Sequence, residues 1–148
     1  MEQLYSISEV ARAFGVSVPT LRYYEECGLV RPTARRGRVR QYDRAALERL
    51  AYAQLWHDDG MMTVAATAAV LTTAHARERH ALIAAQHAVM RERIERLTGA
   101  AALLRHLLDC PAHDPMTCPV TGAHLRARVD AALSGEEFHG VVGDSSGT

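Results

Sequence analysis

The sequence predicts a mostly α-helical chain with a winged helix-turn-helix head, a long helix that requires a partner, and a short C-terminal loop and helix. Three observations predict it. The segment Ser17 to Gly28, about three turns long, carries its own start and stop signals. Between Glu26 and Asp43 the 148-residue chain has five Arg and no acid, in a stretch broken by Pro32 and Gly37. From about Ala76 to Asp109 apolar residues recur on a seven-residue period without a Pro. The expected parts are residues 1–74 (head), 75–109 (long helix), 110–134 (loop and short helix) and 135–148 (loose tail).

Ser6-Ile7-Ser8-Glu9 is a capping box that opens a short helix, Ile7 to Phe14, closed by Gly15. In the next helix Ser17 is the cap and Pro19 sits in the first turn, where a missing N–H costs nothing. Val18 and Leu21 face a small core, whereas Thr20, Arg22, Tyr23 and Tyr24 all offer hydrogen-bond donors. The second helix of a helix-turn-helix lies in the DNA major groove, so these four are candidate contacts. Arg31, Arg35, Arg36, Arg38 and Arg40 follow in a basic loop suited to a wing on phosphates.

The run Arg22, Tyr23, Tyr24, Glu25, Gly28, Leu29 and Pro32, followed by Arg40-Gln41-Tyr42, resembles the N-terminal domain of the MerR family of transcription regulators. The family's usual Gly-Tyr-Arg at the wing tip is Arg38-Val39-Arg40 here. The resemblance implies a homodimer on a pseudo-palindromic operator in double-stranded promoter DNA. Arg22 and Tyr23 would be the main groove contacts, with Thr20, Tyr24, Arg38, Arg40 and Tyr42 on the DNA backbone.

Asp43 caps a helix to about His57 that presents Ala46, Leu47, Leu50, Ala53 and Gln54 on one side, and Asp58-Asp59-Gly60 breaks it. Thr63 opens an Ala-rich helix to about Leu71, whose Val64, Ala68 and Leu71 can pack on the previous one. The MerR resemblance implies that these two helices brace the wing. In the long helix one seam runs through His80, His87, Ile94, Ala101 and Leu108, the other through Ile83, Met90, Leu97 and Leu104. A helix roughly 50 Å long is too long for this head to bury, so a twin in a two-fold dimer is expected. The resemblance implies an antiparallel coiled coil.

Net charge is zero, so any nucleic-acid footprint must be local, as the Arg cluster is. No apolar run reaches the ~20 residues of a bilayer span, and no secretory signal opens the chain, which predicts no membrane partner and a cytoplasmic location. In that compartment three Cys do not make a disulfide framework. With one Trp and two Phe, a large base-stacking platform for single strands is not expected.

Pro111 stops the long helix at Cys110, and PAHDPMT leads to Cys118-Pro119. The prolines restrict the unfolded loop, and thiolates favour Cu(I), Zn(II) and related ions. Two thiolates suit linear Cu(I) or Ag(I), whereas Zn(II) asks for four ligands, which His113 and His124 complete as a Cys2His2 set. Cys-Pro at both ends of this loop is similar to the metal loop of the family's copper-export regulators, with Asp114 in register. That likeness implies a ligand from the partner's dimer helix, and the matching position here is His75 or Ala76. Beyond the loop, Gly122 to Leu133 carries Leu125, Val129 and Leu133 at helical spacing.

The resulting expectation is a dimeric regulator that distorts promoter DNA for RNA polymerase when a thiophilic metal ion binds at Cys110 and Cys118. The alternatives are a regulator of the same type that senses a small organic molecule or an electrophile, and a metal-sequestering protein. No nucleophile, base and orienting group recur at workable spacing, so no enzyme is expected.

Overall fold

The computed structural model describes residues 3–138. The chain divides into two compact units, residues 1–87 and 88–148. In the first unit a short strand β1 (Tyr5–Ser6) leads into α1 (Ile7–Ala13), and the expected capping box is formed. The Ser6 N–H donates to Glu9 Oε2 at 2.7 Å, and the Glu9 N–H donates to Ser6 Oγ at 3.4 Å. α2 (Val18–Glu26) starts at Ser17, whose Oγ accepts from the Thr20 N–H at 3.1 Å.

The basic segment is a hairpin. β2 (Ala34–Arg36) and β3 (Val39–Tyr42) are antiparallel, with Arg35 opposite Arg40 and Arg36 opposite Val39, and β1 pairs on the other side of β3. Gly37 takes φ +63° at the first position of the two-residue turn, which matches the turn to the strand twist. β1 leaves no trace in the sequence because two residues are too few for an alternating pattern.

Asp43 caps α3 (Arg44–Gln54), its Oδ1 accepting from the Ala46 N–H at 2.8 Å. The helix then widens into a π-helical turn, Leu55–Asp59, rather than running on to His57 as α-helix. The Gly60 N–H closes that turn on the Leu55 carbonyl at 2.9 Å. A Cβ at Gly60 would stand 2.7 Å from the Trp56 carbonyl oxygen, so only glycine fits. α4 (Val64–Thr72) packs Val64, Ala68 and Leu71 against the core and buries Thr67 and Val70. The core is built from Val10, Leu21, Leu29, Val30, Tyr42 and Leu50, all nearly or wholly inaccessible.

α5 (Ala76–Asp109) has the bounds the periodicity predicts, 34 residues in all. Its start is tied to the π turn, for Gln86 Nε2 donates to the Gly60 and Met61 carbonyls at 3.0 Å. No residue of α5 is buried, and the seam leucines Leu97, Leu104 and Leu108 are 69%, 60% and 81% exposed.

In the second unit a 3-10 turn, Pro115–Thr117, is capped by Asp114, which accepts from the Met116 N–H at 2.9 Å. α6 (Pro119–Ser134) begins three residues before the expected Gly122. Cys118 is its cap and Pro119 its first residue, so the proline that ends the loop also starts the helix. Gly135 closes α6, and the expected loose tail lies outside the described residues from His139 on.

Candidate nucleic-acid interface and metal centre

α2 separates its two faces by helical period. Leu21 and Tyr24, three apart, turn inward, and Arg22 and Tyr23 turn outward, Tyr23 being 51% exposed. Tyr24, expected on the DNA backbone, is buried at 6% exposure, edge-on to His57 at 5.9 Å between centroids. Tyr42 is also withdrawn. It ends β3 with its side chain fully in the core, and its hydroxyl has no hydrogen-bond partner among the described residues. Sequence reasoning credited both with a polar tip, but burial of the ring decided their direction. Burial raises the pKa of both phenols.

Thr20 is half-buried, its Oγ1 2.7 Å from Ser17 Oγ within the cap. Arg40 forms an ion pair with Glu25, which fastens the hairpin to α2 and takes that guanidinium out of the free set. Arg38, on the hairpin turn, is exposed, as are Arg31, Arg35 and Arg36. The outer face of the first unit therefore offers Arg22 and Tyr23 on the helix and four exposed guanidinium groups from the basic segment, none of them ion-paired among the described residues. Tyr23 remains a proton donor, since its hydrogen bond with Cys27 holds its pKa above the usual phenol value. The face has point donors for base edges and positive charge for phosphates.

The second unit brings together Cys110, Cys118 and His106. Their donor atoms all lie within 4.8 Å of one another, and Cys118 is buried. His106 Nε2 is 3.5 Å from Cys118 Sγ and 3.4 Å from Thr121 Oγ1. The Cys118 thiol is lowered to about 6, chiefly by a hydrogen bond from the Thr121 backbone N–H, then by the Cys110 thiol, the Thr121 hydroxyl and His106. Beside the group is an open cavity of about 480 Å³, partly walled by Pro111, Ala112, Pro119 and Val120.

The histidine in this group is not among those the spacing suggested. His113 is absent from it, and His124 instead meets the Phe138 ring edge-on at 4.9 Å. His75 is exposed at the start of α5, in the first unit. His106 was missed, although it lies only four residues before Cys110, in the last turn of the helix that Cys110 directly follows. Two thiols and an imidazole are a soft donor set that fits a thiophilic ion.

Residues 5–72 match the family model described as MerR HTH family regulatory protein. Over 47 residues the chain is 45% identical to an HTH-type transcriptional regulator ZntR homolog of Haemophilus influenzae, a stretch that covers 31% of this chain and only 35% of that relative. The fold is similar to that of a MerR family transcriptional regulator from Bacillus cereus, with a TM-score of 0.54 at 17% identity over 91% of this chain and all of that one. It is also similar to HiNmlR, a MerR family regulator lacking the sensor domain and bound to promoter DNA, with a TM-score of 0.52 at 21% identity over 90% and 97% of the two chains. The family matched and both neighbouring structures are transcriptional regulators, not enzymes.

Proposed function

We propose that this chain, whose residues 5–72 carry a MerR-family helix-turn-helix head, is a homodimeric transcription regulator that distorts promoter DNA in response to a thiophilic metal ion held at Cys110 and Cys118. The observation that carries the DNA-binding reading is the outer face of α2 and the hairpin, where Arg22 and Tyr23 stand beside four exposed Arg without an ion-pair partner among the described residues. The exposed leucine seam of α5 supports a dimer, which places two heads on one duplex.

The metal reading draws on the Cys110, Cys118 and His106 group and on the resemblance of the relative named ZntR homolog. Metal binding shifts the DNA-distorting state only by the difference in affinity between two states of the dimer. The bent or untwisted duplex then costs less to hold, and RNA polymerase engages a realigned promoter. A low-pKa thiol beside an open cavity gives the electrophile alternative its one specific support.

Footprinting on duplex from the gene's own upstream region tests the first half. The wild-type chain protects a pseudo-palindrome, and Arg22→Ala weakens protection by about 1–3 kcal/mol without loss of fold. Measuring bound metal per dimer after anaerobic purification tests the second. Cys110→Ser with Cys118→Ser must abolish both bound metal and induction, and induction that survives the double replacement refutes metal sensing.

A further inference from the structure

We propose that His106 is the third ligand of this centre and makes it select a divalent, tetrahedrally coordinated ion over a linear monovalent one. The inference rests on the metal reading above and specifies it. Two thiolates alone give no preference for a divalent ion, since they complete a linear monovalent site by themselves. His106 changes that balance through geometry and charge.

One edge of the group already has the length a coordinated ion requires, and all three donor atoms lie within 4.8 Å of one another. With metal–nitrogen and metal–sulfur bonds of about 2.0–2.1 Å and 2.3 Å, a tetrahedral centre sets its N to S edge at about 3.6 Å. His106 Nε2 and Cys118 Sγ stand 3.5 Å apart. His106 sits in the last turn of α5 and Cys110 directly follows the helix's final residue, Asp109, so both are held close to the end of one rigid element. Cys118 is anchored separately as the cap of α6. Ion entry therefore requires little rearrangement.

The charge argument points the same way. Two thiolates and a neutral imidazole carry two negative charges, and Cys118 is only 4% exposed. A divalent ion neutralises the set, whereas a monovalent ion leaves a net charge in a poorly solvated place. Arg105, which lines the same cavity, is paired with Asp109 at 3.1 Å, and both are exposed. The three residues line an open cavity, from which a water or a further donor would complete a tetrahedral set.

The test titrates the full-length protein with Co(II), Zn(II) and Ag(I) under anaerobic conditions. The wild-type chain shows the intense visible bands of tetrahedral Co(II) with thiolate-to-cobalt charge transfer. His106→Ala weakens Co(II) and Zn(II) by at least about 100-fold, more than the loss of an outer-sphere partner costs. Its Ag(I) affinity stays within about threefold, under ~1 kcal/mol. His106→Cys restores divalent binding and strengthens the charge-transfer band, which separates loss of a ligand from loss of fold. Equal weakening of all three ions, or an unchanged Co(II) spectrum in His106→Ala, overturns the proposal. A wild-type protein that binds Ag(I) but not Co(II) or Zn(II) also overturns it and leaves metal sensing standing, whereas a wild-type protein that binds none of the three refutes metal sensing itself.

Discussion

At Tyr42 and Cys118 single side chains depart furthest from their usual behaviour. Tyr42 has its ring in the core and its hydroxyl without a partner, an arrangement that costs about 1–3 kcal/mol relative to a paired group. Tyr42→Phe is therefore expected to be neutral or stabilising by up to ~1 kcal/mol in urea unfolding, and to leave DNA affinity unchanged. Lost DNA affinity would return this residue to the interface. Hydrogen bonds from the Thr121 backbone and the Cys110 thiol lower the folded Cys118 thiol from 9.0 to about 6. Between those values the unfolded chain holds a proton that the folded chain does not, so stability of the metal-free protein rises with pH from 6 to 9 and is lost as pH falls through 6. Thiolate absorbance of wild type minus Cys118→Ser should give a midpoint near 6, and urea midpoints should rise across the same window.

The helices α1, α2 and α5 stand where their caps and periodicity put them, because those signals are local and every partner lies within a few residues. The turn after α3 was not legible in this way. A π turn at Leu55–Asp59 forms through a carbonyl five residues back and through contacts with Gln86, far along the chain. Gly60 is the residue that permits it, for a Cβ there would meet the Trp56 carbonyl at 2.7 Å. Gly60→Ala should destabilise the first unit by about 1–3 kcal/mol, read as a lower urea midpoint. Met61, next in the chain, already sits at φ +52° without being glycine, so the turn has little room to relax.

The proposed dimer depends on the seam of α5. Each leucine that passes from solvent into an interface contributes about 1.5–3 kcal/mol, and Leu97 and Leu104 are among the most exposed apolar side chains of the helix. Replacing both with Glu should turn the dimer into a monomer in sedimentation equilibrium while far-UV helicity changes little. DNA binding should fall with it, because two linked heads hold an operator far more tightly than one. A double variant that stays dimeric and binds operator normally would show that the seam is not the dimer contact.

The sequence by itself determined the helix-turn-helix, the basic hairpin as a wing, the length of α5 and the two thiols as a pair, since each rests on cap chemistry, charge or period within one stretch of chain. The tertiary structure decided three things it did not. It turned Tyr24 and Tyr42 inward, drew Arg40 onto Glu25, and chose His106 over His113 and His124 as the imidazole beside the thiols. Each is a choice among residues of like chemistry, and only the packing of separate elements fixes which of them points to water, to the core or to a neighbour.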